Sequence, residues 1–293
     1  MAPYKPLFAP TSERPLPGFG GVSAIIRDQF QATTLMLLGA ALLGPLFLFT
    51  RSGLIVLFVY TVLLFKLLNA LLMVYGYRKD ASMEDVIPKK FTAQLPPVQG
   101  KEDVPASQGI VVFLLGARVN HPLGLLAPGA KELGDWAQKC FKQVEEKRDE
   151  YGLLGMSHFL GTDRAASNEI LTLMYFRTTA GLHDFALSQV HRDTWTWFLA
   201  IQKRYPHIGI MHETYDVPAR GWEAIYLQMH RTGLGAAEVK MTLEERETAG
   251  VEGGEAWWFT PVDATKGKMR SSRGRMDRSD GGENAKEGFR EIY

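Results

Sequence analysis

The residues able to do chemistry in this chain are polar side chains set inside otherwise apolar runs. Arg118, Asn120 and His121 close the run GIVVFLLGARV. His158 shares a strand face with Met156 and Leu160, and Tyr175 ends a further apolar run. His191 opens HRDTWTWF, which also carries Trp195 and Trp197, while His212, Glu213 and Tyr215 lie within IGIMHETYDV. Histidine titrates near neutral pH and serves as a general base. Arg and Asn hold developing negative charge, and Trp and Tyr wall apolar ligands.

Each position also has a plainer reading. His183 reads as a solvent or capping residue, His207 as a strand-entry residue and Cys140 as a core thiol. His158 and His212 are either hydrogen-bonded core histidines or pocket residues, and Trp195 and Trp197 either packing or a wall. His191 stands where the helical pattern breaks, a place from which a side chain reaches the sheet.

Standard signatures are missing: there is no Walker loop, dinucleotide glycine fingerprint, GxSxG elbow or HExxH. RTGLGAAE, at Arg231 to Glu238, is too short for a phosphate loop. A net charge of +1 over 293 residues lacks the Lys/Arg excess that a nucleic-acid face needs, so no nucleic-acid partner is expected. The single cysteine rules out an internal disulfide framework and a multi-cysteine metal cage, and fits a reducing compartment.

The elements that must position these residues follow from periodicity. Gly109 to Val119 is a continuous apolar run, the pattern of a central strand covered on both faces. Leu133, Trp136, Ala137, Cys140, Phe141 and Val144 recur at helical spacing. Two strand-like runs follow, Gly155 to Thr162 and Glu169 to Thr178, joined by the turn DRAASN. A helix from about Ala180 to Arg204 breaks near His191. Ile208 to Val217 reads as a fourth strand, and Trp222 to Met229 as a fifth. The order βαββαβ is the ferredoxin-like split arrangement of an α+β fold, with both helices on one face of an antiparallel sheet. The other, apolar face then needs a cover, either a second copy of the domain or a ligand.

Ahead of this domain lie two almost uncharged runs, within residues 31–77. The second is long enough for the roughly 20 apolar residues of a membrane crossing, and the first, interrupted by Pro45, is marginal. Uniform apolarity without a polar stripe fits lipid better than a soluble core. Lys66 must snorkel or face the partner helix. Lys5, Arg14 and Arg27 before the pair, and Arg78, Lys79, Lys89 and Lys90 after it, put both ends in the cytosol. Endoplasmic reticulum is the default membrane. The organisation read from the chain is a polar segment 1–30, a two-helix transmembrane hairpin 31–77, a linker 78–108, the domain 109–240 and an extension 241–293, largely disordered after 260.

VVFLLGARVNHP, YGLLGMSHFLG, HRDTWTWF and IGIMHETYDV together resemble a monooxygenase-like family related to the antibiotic-biosynthesis monooxygenases, over about residues 109–238. The resemblance implies a dimeric α+β barrel, hence a homodimer, and an oxygenase role in fungal secondary metabolism on a lipophilic terpenoid or polyketide. The wider superfamily oxidises with O₂ and no prosthetic group: a base removes a proton, polar groups hold the anion, and the anion passes an electron to O₂. On this chain the resemblance implies His191 or His212 as base, Arg118 and Asn120 as anion holders, and Trp195, Tyr175, His158 and Trp197 around the substrate. A terpene hydrocarbon has no acidic C–H. Either the substrate carries a carbonyl or enol and no cofactor beyond O₂ is needed, or a haem is held by His158, His191 or His212. A non-oxidative cyclase, isomerase or dehydratase on the same scaffold, and a pathway scaffold, stand as alternatives.

Overall fold

The computed structural model describes residues 6–12, 28–96, 104–162, 169–251 and 254–278. The expected turn DRAASN, the basic residues Lys5, Arg14 and Arg27, and the tail beyond 278 lie outside them.

Helices α1 (Ala32–Thr50) and α2 (Gly53–Val74) form the hairpin, and neither buries a residue. Arg51 adopts a left-handed conformation with its N–H on Phe47 O, and Ser52 caps α2 by accepting the Leu54 N–H at 3.3 Å. The reversal thus takes two residues. At 1.5 Å per residue the helices run about 28 and 33 Å, both long and apolar enough to cross a membrane.

The expected linker contains a strand. β1 (Ile87–Ala93) has Phe91, Thr92 and Ala93 fully buried, and the Thr92 hydroxyl donates to Ala224 O at 2.5 Å. Its polar, proline-rich flanks concealed the short FTA core. Next come β2 (Ile110–Val119), α3 (Ala130–Glu146), the short α4 (Arg148–Tyr151), β3 (Leu153–Leu160) and β4 (Ile170–Phe176). The helix expected over 180–204 is two: α5 (Thr179–Ala186) and α6 (Gln189–Ile201). The break falls at Leu187 and Ser188, where Ser188 accepts the His191 N–H at 3.4 Å and caps α6.

β5 (Ile208–Val217) closes a four-stranded antiparallel sheet of order β3-β4-β2-β5. Numbered within the domain this is 2-3-1-4, the ferredoxin-like order. One face packs Val111, Met174 and Phe176 against Cys140 and Val144 of α3 and Leu182 and Phe185 of α5. Apolar burial of this kind stabilises by about 1.5–3 kcal/mol per large side chain.

The opposite face, expected to need either a second copy or a ligand as its cover, is covered at one end by the chain itself. β6 (Tyr226–Met229) does not extend the main sheet. It pairs with β1, which pairs with β9 (Pro261–Asp263), in a second antiparallel sheet. β7 (Glu238–Lys240), α7 (Leu243–Ala249) and β8 (Trp257–Phe259) follow β6, with β7 and β8 paired. Leu234, Ala237, Val239 and Trp222 cover Ile110 and Leu154. A Cβ on Gly155 would stand 3.0 Å from Ala237 Cα, so the layers meet backbone to backbone there. Toward the other end Phe159, Met211 and Tyr215 remain exposed.

Among the described residues, the extension beyond 260 forms β9, a 3-10 turn and a short helix. α8 (Ser272–Arg275) presents Arg275, which is 0% exposed; its Nε donates to Glu223 Oε2 at 2.6 Å and its Nη1 to Met269 O at 3.0 Å. The segment's charge suggested disorder because a sequence does not reveal which charge finds a buried partner. Removing one partner of such a pair costs about 3 kcal/mol. Arg275→Ala should lose that much in unfolding of the detergent-solubilised protein; an unchanged midpoint would mean that the extension does not dock.

Candidate functional site

The sheet divides the residues singled out in the sequence between its two faces. His191 and Trp195 stand one turn apart on α6. His191 lies edge-on to Phe185, with ring centroids 5.5 Å apart. Across the seam with β5 stands His212, exposed, its ring 5.5 Å from that of Phe113. Burial pushes the His191 pKa down, a hydrogen bond with the Ala186 backbone opposes this, and His212 adds to the depression. His191, His212 and Trp195 are thus brought together along one open seam, with Trp195 itself 52% exposed.

The others are not brought there. Arg118 and Asn120 bond to each other at 2.7 Å, Arg118 lies 3.9 Å from Glu169, and the Arg118 register position belongs to the face turned away from the helices. They therefore hold no anion formed at His191. Alternation along β2 and β5 decides this, since neighbours in sequence point to opposite faces. His158 faces the helices, but on β3 at the far edge of the sheet. Its Nδ1 is 3.0 Å from Thr172 Oγ1 and its ring packs on Phe141. Burial lowers its pKa, partly opposed by Glu145. Trp197 packs on Trp136 of α3. Cys140 is a core thiol within 3.3 Å of Thr194 Oγ1, its pKa raised by burial.

Tyr175 turns out to be a strut. The segment RTGLGAAE forms a 3-10 turn, Gly233–Ala236, and its successive N–H groups reach three side-chain oxygens. Gly233 donates to Ser157 Oγ at 3.0 Å, Leu234 to the Tyr175 hydroxyl, and Gly235 to the Tyr226 hydroxyl at 3.0 Å. Those oxygens come from β3, β4 and β6, so the turn joins the two layers. Burial first, then Tyr226, pushes the Tyr175 pKa up to about 12, so its hydroxyl stays protonated at neutral pH.

The concave feature lies elsewhere. A half-open cavity of about 1100 Å³ runs along the outer edge of β3, beside Gly155 and Ser157, between the α3–α4 corner and the second layer. Val86, Ile87, Phe8 and Phe259 give it apolar walls. Its floor carries a buried pair, Arg148 Nη1 to Glu238 Oε2 at 3.3 Å, and Arg148 Nη2 also donates to Leu154 O at 2.9 Å. Arg231 lies between Phe8 and Phe259, its guanidinium carbon 5.6 and 4.3 Å from their ring centroids. Its Nη1 is buried with no hydrogen-bond partner among the described residues. Glu84, Asp85, Glu145, Lys89 and His230 also border the space, so the lining carries both signs. Sequence reasoning missed this set. Arg148 and Glu238 are 90 positions apart, and the only signal was RTGLGAAE, dismissed as a phosphate loop.

The fold and cavity define a ferredoxin-like α+β domain carrying its own second layer and preceded by two apolar helices. The family model Monooxygenase af470-like matches residues 110–234. Monooxygenase af470 of Aspergillus fumigatus is 31% identical over 280 residues, 94% of this chain and 98% of the relative. The chain belongs to that monooxygenase family. Among solved structures, SnoaB, a cofactor-independent oxygenase from Streptomyces nogalater, matches 36% of this chain and 91% of its own at 11% identity and TM-score 0.27. An aldoxime dehydratase, OxdRE, matches 51% of this chain and 40% of its own at 11% identity and TM-score 0.39.

Two outcomes follow. Tyr175→Phe should cost about 1 kcal/mol in stability, as a strut does, and leave turnover in place; loss of turnover with stability intact would make Tyr175 a reacting group. For His158 and His191 the folded pKa lies below the ordinary value of 6.5. The unfolded chain therefore binds more protons in that window. Their contribution is complete above pH 6.5 and lost as pH falls through the folded values. The melting temperature should drop between pH 7 and pH 5, and less so in His158→Gln; equal pH dependence in the variant would remove His158 from the account.

Proposed function

We propose that the chain is a membrane-anchored oxygenase of fungal secondary metabolism that takes a lipophilic substrate, terpenoid or polyketide, into the cavity along β3 and oxidises it with O₂. The observation that carries this is the identity to a monooxygenase over 280 residues, well beyond the matched domain. In this reading both ends of the hairpin face the cytosol, with endoplasmic reticulum as the membrane, and the still-exposed part of the second sheet face, Phe159, Met211 and Tyr215, receives a second copy in a homodimer. About 1100 Å³ suits a large apolar ligand.

The substrate carries a CH₂ or enol beside an electron-withdrawing group. In this reading Glu238, paired with Arg148 on the cavity floor, takes the proton, and Arg231, whose Nη1 is buried with no hydrogen-bond partner among the described residues, holds the anion. The anion gives one electron to O₂, the radicals join as a peroxide, and loss of water leaves a C=O. One O₂ is consumed per CH₂, without an external reductant or any cofactor. A haem on a histidine is the competing form. His158 and His191 fit it poorly, since each has a ring packed against it and a hydrogen bond in place; exposed His212 has the most room.

A second reading seats the base at His191, with His212 and Trp195 beside it. Its supporting observation is the geometry of the open seam, where His191 on α6 faces His212 on β5 and Trp195 stands one turn further along.

Product analysis of a deletion strain supplies the accumulated precursor, and the full-length protein in detergent is then assayed for O₂ uptake with it. Arg231→Leu should raise KM about tenfold, the scale of one lost charge-assisted contact, while His191→Gln keeps kcat. The reverse pattern moves the site to the seam. Product without O₂ uptake rejects the oxygenase for a non-oxidative enzyme, unaltered pathway flux in the deletion strain rejects an enzyme, and a Soret band replaces the cofactor-free mechanism with haem.

A further inference from the structure

The connection between β2 and α3, NHPLGLLAPG at 120–129, is unusually greasy for an exposed turn. Its 3-10 turn, Gly124–Leu126, leaves Leu123 55% and Leu126 76% exposed while Gly124 and Ala127 are buried beneath. The leucines are held outward. His121 Nδ1 accepts the Leu123 N–H at 3.1 Å, and the Gly124 N–H donates to His121 O at 2.8 Å. Below, His207 Nε2 contacts Pro128 O at 2.9 Å, tying the connection to the entry of β5.

This turn is fastened to the hairpin. The Gln29 side-chain oxygen accepts the Leu125 N–H at 2.9 Å, and Gln29 stands three positions before Ala32, where α1 begins. Three residues span at most about 10 Å. If α1 enters a bilayer at Ala32, Gln29 sits among the head groups, and the turn it holds sits at the same depth. Lys131, its side chain 82% exposed in the first turn of α3, pairs with Asp135 one turn on at 2.5 Å.

We infer that the Leu123–Leu126 turn is a third membrane contact, in which Leu123 and Leu126 enter the boundary between head groups and acyl chains beside the base of the hairpin. The inference rests on the hairpin being a membrane anchor. Its partner is the bilayer itself. Two helices alone leave the domain free to swing; a third contact off the helix axis fixes which face of the domain meets the lipid.

Cys140, the single native cysteine, is buried, so a polarity-sensitive fluorophore can be directed to an introduced thiol in the full-length protein. Three labelled variants in phosphatidylcholine vesicles serve: Leu126→Cys in the turn, Leu42→Cys in α1 and Asp184→Cys on exposed α5. Brominated lipid should quench the first two and spare the third, and aqueous iodide should quench the Leu126 site about twofold less than the Asp184 site, as for an interfacial residue. If the α1 probe is quenched by lipid and the Leu126 probe behaves like that at Asp184, the third contact is refuted and the anchor stands. If lipid quenches neither, anchor and contact fall together.

Discussion

The structure depends on one constraint: β2 is apolar on both faces and central in its sheet, so both faces must be covered. Val111 and Phe113 point to the helices, while Ile110 and Val112 point the other way. The helical cover is local, since α3 follows β2 directly. The other cover comes from sequence-distant pieces: β1 before the domain, and β6 through β9 after it. Their assembly closes the cavity, because its walls belong to both layers.

The join between layers is polar. A short turn offers three successive N–H groups, and Ser157, Tyr175 and Tyr226 each accept one. Buried donors left without acceptors cost more than such bonds gain, so the turn admits few alternative seats for the second layer. Arg275 fastens the extension in a related way: its Nε donates to Glu223 and its Nη1 to two carbonyls, and Gln94, just after β1, donates to Arg275 O.

A cavity along β3's outer edge has a consequence for access. An edge strand presents groups that no neighbouring strand claims, and a long substrate can lie along it without parting the core. The helix–sheet interior offers no comparable space, being filled by Phe113, Phe141, Met174 and Phe176. The His191–His212 seam opens to solvent instead, at the other edge of the sheet.

Periodicity by itself determined the apolar hairpin, the βαββαβ order, the limits of β5 and a helix break near His191, because these follow from local alternation; that Ser188 caps the second helix came from the structure. Parity along a strand also separates Arg118 from His212, a conclusion available in the sequence once the pairing is known. Only the tertiary structure decided that FTA in a polar stretch is a buried strand, that a charged extension docks, that Tyr175 braces a turn, and that Arg148, Glu238 and Arg231 share a cavity. Those facts rest on contacts between residues far apart in the chain, and no local pattern encodes which distant partner satisfies a buried charge.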